Sequence, residues 1–493
     1  MKILFAASEA VPFCKTGGLG DVVGALAEAL KVRGHDVRLV LPHYCPPGSD
    51  EEPPGSGPLS LTIPVDGRDH PVRVWETRFG PDVPAYLIDS PSHFAREGLY
   101  RDSRGVDYAD NDRRYILFCR AALEAARAAG FAPDVVHAHD WQTGLLPTYL
   151  ATSYRDDPFF QNTATVFSIH NIAYQGHFPK ESLLAAGLDW SWFTADRLEY
   201  FDGFNFLKAA LVTADVLSTV SPSYAVEVQS GEEFGRGMEG VLQTRSRDFF
   251  GVLNGIDNAV WNPAEDAMIA RPFSARALRG RADCKRDLQR QTGLAEDPAA
   301  PLLGMVSRLD PQKGFDILLD VLEPFIEEGA QAVFLGQGSP VYQATLRTLS
   351  RKHPGRVASS TDFNETLAHK IYAGADIFLM PSRFEPCGLG QMIALRYGAV
   401  PVVTPTGGLK DTVVPVSRDG KKGDGFVAAA TETGAYRRAL ESAVDRFRRD
   451  PAGWKRILKR GMARVFDWGD SVPKYEEIYR RALARRADRI GPP

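Results

Sequence analysis

Two glycine-rich strings, one in each half of the chain, are the residues whose types and spacing most directly indicate chemistry. The first reads T-G-G-L-G-D-V-V over residues 16–23, and the second reads T-G-G-L-K-D-T-V over residues 406–413. Each follows a short apolar run and precedes a stretch with helical character. Paired glycines let the backbone approach a ligand closely, and the first N–H groups of a helix attract anions. The strings predict two α/β halves that face one phosphorylated ligand, although two unrelated strand-to-helix turns are the alternative.

A basic pair lies between these strings, in S-R-L-D-P-Q-K-G over residues 307–314. This segment follows a predicted strand and opens a predicted helix. Ligands of open α/β sheets bind at the carboxyl ends of the strands. Arg308 and Lys313 are therefore predicted to meet a diphosphate leaving group, whose negative charge grows as its bond breaks. The alternative is an exposed basic pair at the start of a helix.

A second candidate loop, P-S-R-F-E-P-C-G-L-G over residues 381–390, also follows a predicted strand. We predict that a helix opens at Gly388 and that its first N–H groups bind phosphate or sugar hydroxyls. The Glu385 carboxylate would accept bonds from sugar hydroxyls or stabilise positive charge on an anomeric carbon; a solvated loop acid is the alternative. Cys387 has no basic neighbour in the sequence, which favours a small buried side chain over a nucleophile.

Histidines end two predicted strands of the first half, in H-A-H-D-W over residues 137–141 and S-I-H-N over residues 168–171. Two histidines and an aspartate raise the possibility of a metal site. No further ligands are supplied, so we favour a polar edge at which His139, Asp140 and His170 bond sugar hydroxyls. The acidic string D-N-D over residues 110–112 resembles that of metal-dependent glycosyltransferases, but its place at a predicted helix start favours N-capping.

Short apolar runs alternate with longer helical patterns along the chain, which is typical of a parallel sheet covered by helices. The predicted strands are Lys2–Ala7, Asp36–Leu41, Val72–Glu76, Ala85–Asp89, Val135–His139, Thr165–His170, Val216–Val220, Leu302–Ser307, Ala332–Leu335, Ile377–Met380 and Val400–Thr404. The predicted helices are Val22–Val32, Asn111–Ala129, Phe315–Glu328, Glu365–Ala373, Gly388–Tyr397 and Ser471–Arg489. The stretch from Pro46 to Pro58 is predicted to be an exposed loop.

Two α/β domains follow from this pattern, because 493 residues exceed one ordinary core. We predict a first domain over residues 1–254 and a second over residues 255–470, with the catalytic cleft between them. The last helix, in residues 471–493, carries Tyr475, Ile478 and Tyr479 on one face and is expected to pack back on the first domain.

The bulk composition excludes several classes of protein. The 58 basic and 62 acidic side chains give a net charge of −4, which does not favour nucleic acid as a partner. Five cysteines in no zinc or C-x-x-C spacing indicate reduced thiols. The first apolar run is interrupted at Glu9, too early for a signal peptide, and no run approaches a membrane span. We therefore expect a cytoplasmic protein that does not bind membranes.

Seven strings together make the chain similar to a known family. They are K-T-G-G-L-G-D-V (15–22), H-A-H-D-W-Q-T-G-L (137–145), H-N-I-A-Y-Q-G (170–176), N-G-I-D (254–257), R-L-D-P-Q-K-G (308–314), P-S-R-F-E-P-C-G-L (381–389) and T-G-G-L-K-D-T-V (406–413). The chain resembles bacterial glycogen synthase and plant starch synthase from about residue 2 to 480. These are retaining glucosyltransferases of family five. The resemblance implies the GT-B fold, in which two Rossmann-like α/β domains face each other across a cleft.

The resemblance also implies an activity, transfer of glucose from a nucleotide sugar, with ADP-glucose favoured, to the non-reducing end of an α-1,4-glucan such as glycogen. No metal or other cofactor is expected. The alternatives are another retaining GT-B glucosyltransferase that makes a sugar phosphate or a disaccharide, and a non-catalytic glucan-binding scaffold. The phosphate-clamping residues are all present, which disfavours the scaffold.

By position in the matching strings, the resemblance assigns the reacting centre to five residues, which are Glu385, Arg308, Lys313, His170 and Asp140. It assigns the donor and its phosphates to Lys15, Gly17, Gly18, Phe363, Cys387, Gly388, Leu389, Thr406, Gly407 and Gly408. Phe363 stands where the family usually has a tyrosine that stacks on the base. Apart from these assignments, we predict that Asp21, Tyr100 and His139 make acceptor-side or other contacts. The first domain is expected to be the acceptor side and the second domain the donor side.

Overall fold

The computed structural model describes all residues except 48–51, 53, 54, 363 and 491–493. The chain forms two compact units. The first unit comprises Met1–Val220, Ala225–Val252 and Trp468–Pro493, and the second comprises Ser221–Tyr224 and Leu253–Asp467. None of the described helices is both long and apolar enough to span a bilayer.

The first unit is built on a nine-stranded sheet and a small three-stranded sheet. The strands in chain order are β1 (Lys2–Ala6), β2 (Asp36–Pro42), β3 (Ser56–Val65), β4 (Arg68–Phe79), β5 (Val83–Asp89), β6 (Val135–His139), β7 (Ala164–Ile169), β8 (His177–Pro179), β9 (Glu199–Tyr200), β10 (Gly203–Asn205), β11 (Val216–Thr219) and β12 (Phe249–Gly251). The large sheet has the order β12-β11-β7-β6-β1-β2-β5-β4-β3, and the small one has the order β8-β10-β9. The large sheet is parallel except at β3–β4 and β4–β5.

Ten α-helices lie wholly or partly in this unit's described residues, with short 3₁₀ turns at Trp141–Thr143, Trp190–Trp192 and Ser246–Asp248. The helices are α1 (Gly18–Val32), α2 (Pro91–Phe94), α3 (Asn111–Ala128), α4 (Leu145–Ala151), α5 (Ser182–Ala185), α6 (Phe206–Thr213), α7 (Pro222–Glu227), α8 (Glu232–Gly235), α9 (Glu239–Thr244) and, at the C-terminus, α18 (Val472–Ile490). The chain passes from one unit to the other within α7.

The second unit has a six-stranded, all-parallel sheet. Its strands are β13 (Leu302–Val306), β14 (Gln331–Leu335), β15 (Val357–Ser360), β16 (Ile377–Met380), β17 (Val400–Val403) and β18 (Phe426–Val427), in the order β15-β14-β13-β16-β17-β18. Its helices are α10 (Arg279–Gln291), α11 (Phe315–Glu327), α12 (Pro340–Lys352), α13 (Glu365–Gly374), α14 (Gly390–Tyr397), α15 (Gly407–Thr412), α16 (Thr433–Arg449) and α17 (Pro451–Met462).

Each sheet reverses its strand order at one place, and the candidate loops lie there. In the first unit, β1 pairs with β2 on one side and with β6 on the other. In the second unit, β13 pairs with β14 on one side and with β16 on the other. Loops that leave the carboxyl ends of such neighbours diverge and leave a crevice in which ligands of open α/β sheets bind. The segments that begin at residues 15, 140, 307 and 381 follow β1, β6, β13 and β16, respectively.

Helix α18 belongs to the core of the first unit. Tyr475, Ile478 and Tyr479 are 1%, 3% and 0% exposed and lie in one cluster with apolar residues of the sheet. Spacings of three and four residues place these side chains on one helical face. A hydroxyl contact adds to the packing, because the Tyr479 hydroxyl lies 2.9 Å from Nδ1 of His137 in β6.

Replacing Ile478 by alanine should destabilise the first unit by about 2–5 kcal/mol, since a buried aliphatic side chain is lost and a cavity remains. For a unit of this size, that corresponds to a drop of the thermal midpoint of roughly 4–20 °C. Glu477→Ala, at an exposed site on the same helix, is the matched control and should change the midpoint little. Calorimetry that gives equal midpoints for the two variants would contradict the packing described.

The bounds of the predicted strands and helices agree with those in the structure to within a few residues. Several other elements of the structure were not predicted. Strand β3 overlaps the predicted loop from Pro46 to Pro58, part of which lies outside the described residues. It is an edge strand with Ser, Gly and Pro at its start, so its composition resembles a loop. Helices α10, α12, α16 and α17 were not predicted.

Candidate functional site

A buried carboxylate, Glu9, organises the glycine-rich loop after β1. Its side-chain oxygens accept bonds from the backbone N–H of Thr16, the hydroxyl of Thr16 at 2.7 Å and the backbone N–H of Gly17 at 3.3 Å. They also accept a hydrogen bond from the Tyr100 hydroxyl at 2.5 Å. Glu9 is only 3% exposed, so these donors compensate its charge. Sequence reasoning missed this residue; the available signal was an acid between a strand and a loop whose N–H groups need an acceptor.

The charged side chains of this loop pair with each other at the surface. Lys15 Nζ lies 2.9 Å from Asp21 Oδ1, and both side chains are 37% exposed. Asp21 is in the first turn of α1, where a carboxylate is favoured by the helix dipole. Gly20 must remain small, because a Cβ there would lie 2.8 Å from the Lys15 Cβ. The loop therefore presents a cation and an anion together, next to the N–H groups of the helix start.

Asp140 follows β6 in an unusual backbone conformation, with φ of +57°. Its Oδ1 accepts the backbone N–H of His170 at 2.7 Å and of Asn171 at 3.4 Å. Burial raises the pKa of the Asp140 carboxyl to about 7, the two N–H bonds offset part of this rise, and the charge of Glu9 adds to it. A strained, buried carboxylate whose proton is lost near neutral pH is typical of functional sites.

The shifted pKa of Asp140 predicts a pH-dependent stability difference between the wild type and Asp140→Asn. The folded carboxyl binds its proton more tightly than the unfolded one, so its contribution to stability is full below pH 4 and is lost as pH rises through 7. Asparagine does not titrate, and it tolerates positive φ. The free energy of unfolding of the variant relative to the wild type should therefore rise between pH 4 and pH 7, by up to about 1.4 kcal/mol per pH unit. Denaturant unfolding with a constant difference across this range would contradict the shift.

Two buried histidines, His137 and His139, and the half-buried His170 lie in series beside Asp140. The rings of His137 and His139 are 4.1 Å apart, and His139 Nδ1 lies 3.0 Å from His170 Nε2. Burial lowers the pKa of all three, that of His170 to about 3, so each is neutral at pH 7. A neutral imidazole has one donor and one acceptor nitrogen, so the His139–His170 bond couples the tautomers of the two rings: one donates and the other accepts. His139 Nε2 is buried and has no hydrogen-bond partner in the described residues.

In the second unit, the two predicted loops after β13 and β16 meet at an ion pair. Lys313 Nζ lies 2.7 Å from Glu385 Oε2, with the two side chains 16% and 6% exposed. The Ser382 hydroxyl donates to the same oxygen at 2.9 Å. Lys313 ends the 3₁₀ turn Pro311–Lys313, which follows β13, so the cation is held at the carboxyl edge of the sheet. Arg308 lies at the same edge with an exposed side chain.

The backbones of these two loops are tied to each other. Arg383 N–H donates to the Gln312 carbonyl at 2.8 Å, and Gln312 Nε2 donates to the Phe384 carbonyl at 3.2 Å. Gly314 adopts φ of +67°, and a Cβ there would lie 1.9 Å from the Pro381 carbonyl oxygen. This close approach sets the distance between the two loops and hence the position of the Lys313–Glu385 pair.

The second glycine-rich string, after β17, closes against the Glu385 loop. Gly408 N–H donates to the Glu385 carbonyl at 3.0 Å. A Cβ at Gly408 would lie 2.1 Å from the Cys387 carbonyl oxygen, so only glycine fits. Thr406 is the N-cap residue of α15, without a side-chain capping bond, and Gly407 and Gly408 are its first two residues. The structure thus brings both glycine-rich strings to the carboxyl edges of their own sheets.

The prediction that a helix opens at Gly388 is wrong by two residues. Helix α14 begins at Gly390, with Leu389 as its N-cap residue, and Gly388 instead takes φ of +73°. Gln391 Nε2 donates to the carbonyls of Cys387 at 3.0 Å and Gly388 at 2.8 Å, which braces this turn. Burial raises the pKa of the Cys387 thiol to about 12, so it is not a thiolate at neutral pH.

The acidic string at residues 110–112 does not cap its helix with a side chain. Asp110 is the N-cap residue of α3, but its carboxylate pairs with Arg96 at 2.6 Å. The predicted capping bond is therefore wrong. Within the described residues, no group of three or more histidine, cysteine, aspartate and glutamate side chains is arranged to hold a metal ion. Phe363, predicted at the base of the donor, lies outside the described residues.

Comparison with known proteins gives consistent results over nearly the whole chain. Residues 2–244 match the starch synthase catalytic domain family, and residues 300–446 match the glycosyl transferases group 1 family. The chain is 46% identical to glycogen synthase 2 of Geobacter sulfurreducens over 99% of this chain and 100% of that one. It is also 46% identical to a glycogen synthase of Anaeromyxobacter dehalogenans over 97% and 99% of the two chains.

Two solved structures are similar to this chain over nearly its whole length. The catalytic domain of starch synthase IV from Arabidopsis thaliana, bound to ADP and acarbose, matches with a TM-score of 0.89 and 34% identity over 98% and 99% of the two chains. A sucrose-phosphate synthase from Thermosynechococcus elongatus matches with a TM-score of 0.61 at 16% identity over 98% and 99%, which shows the fold alone. The predictions of a GT-B fold and of a glucosyltransferase of the glycogen synthase type are confirmed. Two glycine-rich loops lie at the carboxyl edges of their sheets, and a lysine–glutamate pair lies beside one of them. Together with the 46% identity over the full length, this shows that the chain belongs to the glycogen and starch synthase family of glycosyltransferases.

Proposed function

We propose that this glycogen synthase transfers glucose from ADP-glucose to the non-reducing end of an α-1,4-glucan with retention of the anomeric configuration. The observation that carries the assignment of the reacting centre is the Lys313–Glu385 pair at 2.7 Å, set against the Gly408 loop. A cation for a leaving diphosphate and a carboxylate for a sugar lie side by side there.

The donor's phosphates are assigned to the second unit. Arg308 and Lys313 are proposed to clamp the diphosphate, because its charge increases when the anomeric carbon–oxygen bond breaks and the phosphate oxygen keeps the electron pair. The segment Thr406, Gly407 and Gly408 is proposed to lie against the donor, because its two glycines add no side-chain bulk and let the backbone approach closely. Lys15, Gly17 and Gly18 of the first unit are proposed to contact the diphosphate and the transferred sugar.

The transferred glucose is assigned to Glu385 and to the backbone of Cys387, Gly388 and Leu389. A carboxylate accepts hydroxyl bonds and also stabilises positive charge at the anomeric carbon while the old bond breaks. The acceptor 4-hydroxyl oxygen then forms the new bond, and its proton passes to the leaving phosphate oxygen. Ser382 and Lys313 hold one Glu385 oxygen, which fixes the orientation of the other.

The remaining sugar contacts are assigned to the first unit, with Asp140 and His170 around the glucosyl ring. Tyr100, Asp21 and His139 are assigned to the acceptor side. Glu9 supports this side, because it holds both the Tyr100 hydroxyl and the backbone of the glycine-rich loop.

ADP-glucose is proposed as donor because the Arabidopsis starch synthase IV domain, similar over 98% of this chain, binds ADP. The cytoplasm is the proposed location, in agreement with the five free cysteines.

The proposed activity is tested by a turnover assay with ADP-glucose and UDP-glucose against glycogen, in which released nucleotide and lengthened glucan are both measured. Lengthening with ADP-glucose supports the proposal. Nucleotide release only with a monosaccharide or sugar-phosphate acceptor would support a different retaining glucosyltransferase.

His139 is predicted to position His170 through their 3.0 Å bond. His139→Phe keeps the volume but removes that bond, so kcat should fall about 5- to 10-fold, the worth of one hydrogen bond, with little change in KM for the donor. His139→Asn can still offer a donor or acceptor near Nδ1 and should regain part of the activity. Tyr479→Phe, which removes a bond to His137 but leaves the His139–His170 pair, is the control and should keep wild-type kcat. Equal kcat in the phenylalanine and asparagine variants of His139 would contradict the positioning role.

A further inference from the structure

We propose that the second unit carries a separate binding site for a small organic phosphate, in a cavity at the amino edge of its sheet. The cavity has a volume of about 370 Å³ and is formed by α10, α16, α17 and the segment before β13. This volume is at the lower end of the range of small-molecule sites, roughly 300–1,000 Å³. It accommodates one phosphate group with a small organic body.

The position of the cavity separates it from the proposed donor site. Asp376, one of its lining residues, directly precedes β16, whereas the Glu385 loop follows that strand. Pro298, another lining residue, precedes β13, whereas Arg308 and Lys313 follow it. The two sites therefore lie at opposite ends of the same parallel strands.

The floor of the cavity holds two buried cations and one carboxylate. Arg281 and Lys285 are each 8% exposed at the side chain, and so is Asp376. Lys285 Nζ donates to Asp376 Oδ2 at 2.7 Å and to the carbonyls of Pro298 and Ala300 at 3.0 and 2.7 Å, which uses all three of its protons. The lysine is thus neutralised by the only buried carboxylate among the lining residues.

Arg281 is less well compensated. Its Nε donates to the Tyr397 carbonyl at 3.3 Å and its Nη2 donates to the Ala375 carbonyl, while Nη1 lies 3.6 Å from Asp376 Oδ1, beyond a normal hydrogen bond. Two buried cations that share one carboxylate leave a positive charge without a full counter-charge. A buried charge in that state is costly unless a further anion pairs with it.

Exposed side chains at the mouth of the cavity add to its positive charge. Arg286 and Lys455 also line the cavity. Arg286 lies 3.6 Å from Asp283, which is outside the lining, and the second acid of the lining, Glu296, pairs with Arg290 at 3.0 Å. The lining therefore has four cationic and two anionic side chains. Phe447, Leu278 and Leu458 supply an apolar wall beside these cations. An anionic head with a less polar body, such as an organic monophosphate, fits this combination better than a free inorganic ion.

Phenyl phosphate and inorganic phosphate are the probes for calorimetric titration of the full chain. Saturating ADP is present throughout, so that the donor loops are occupied. The test variant is Arg286→Glu/Lys455→Glu, since both side chains are exposed and their exchange leaves the buried floor intact. Lys459→Glu makes the same kind of change one turn along α17, outside the cavity, and is the matched control.

We expect saturable binding of about one phenyl phosphate per chain, tighter than that of inorganic phosphate. The double variant should weaken it by at least about tenfold, because two attractive charges become repulsive, and Lys459→Glu should not. Absence of saturable binding beyond that of sodium chloride at equal ionic strength would overturn the proposal. Equal affinity in the double variant and the wild type would also overturn it.

If the double variant fails to fold, Lys455→Glu alone decides the same question. Glycogen elongation is measured in a separate assay, so failure of the proposed function can be told apart from failure of the proposed phosphate site.

Discussion

Replacing Lys313 by alanine should lower kcat roughly 10²–10³-fold, the usual loss when one preorganised charge-stabilising group is removed. Donor binding should weaken far less, because the charge that Lys313 meets is greatest in the transition state. The structure adds a second reason, since Lys313 is an ion-pair partner of the buried Glu385 carboxylate at 2.7 Å. Its loss also leaves that carboxylate without its cation and with the Ser382 hydroxyl as the remaining donor to the same oxygen.

Steady-state kinetics and nucleotide titrations of the variant separate kcat from donor affinity. Lys421→Ala, at a side chain that is 83% exposed in the same unit, is the control and should behave as the wild type. Arg308→Ala should resemble Lys313→Ala, and the double variant should lose less than the sum of the two, since both cations meet one diphosphate. A Lys313→Ala variant that loses donor affinity and keeps kcat would contradict transition-state stabilisation by this residue.

Replacing Gly408 by alanine should reduce kcat roughly 10²-fold with the fold retained. The new Cβ would lie 2.1 Å from the Cys387 carbonyl oxygen, so the two loops must move apart by about 1 Å, and a displacement of that size costs about 10²-fold in rate. The same movement lengthens the 3.0 Å bond from Gly408 N–H to the Glu385 carbonyl. Glu385 would then no longer be held beside the transferred sugar.

Gly434→Ala is the matched control, because a Cβ there meets only the flexible end of Arg438, at 3.6 Å. Circular dichroism and the thermal midpoint show whether Gly408→Ala remains folded. Wild-type kcat in a folded Gly408→Ala variant would show that the close approach of these loops is not required for turnover.

Several elements of the fold were predictable because burial leaves a clear pattern in the sequence. Strands β6 and β16 were predicted with the observed bounds, as short apolar runs between turn residues are typical of strands buried on both faces. Strand β3 was not predictable in this way, since an edge strand with one exposed face has no such run. Helix α10 was missed because most of its thirteen residues are charged or polar, and only its inner face is buried.

The candidate site was predictable where a single loop carries the chemistry and not where two distant segments meet. The Gly408, Arg308 and Glu385 loops stand directly after predicted strands. The bonds from Glu9 to Tyr100 and from His139 to His170 join residues 91 and 31 positions apart, which no local pattern specifies. The pairing of β6 with β7, which brings His139 beside Ser168 and hence near His170, becomes visible only when the sheet is known.

Fixed cations of the protein, Arg308 and Lys313, are proposed to take up the charge of the leaving diphosphate. The most direct test is release of ADP from ADP-glucose in the presence of glycogen, measured in excess EDTA and again after addition of Mg²⁺. If the two cations suffice, turnover in EDTA should equal that of the untreated enzyme, and Mg²⁺ should not increase it. Abolition of turnover by EDTA and its restoration by Mg²⁺ would contradict the account.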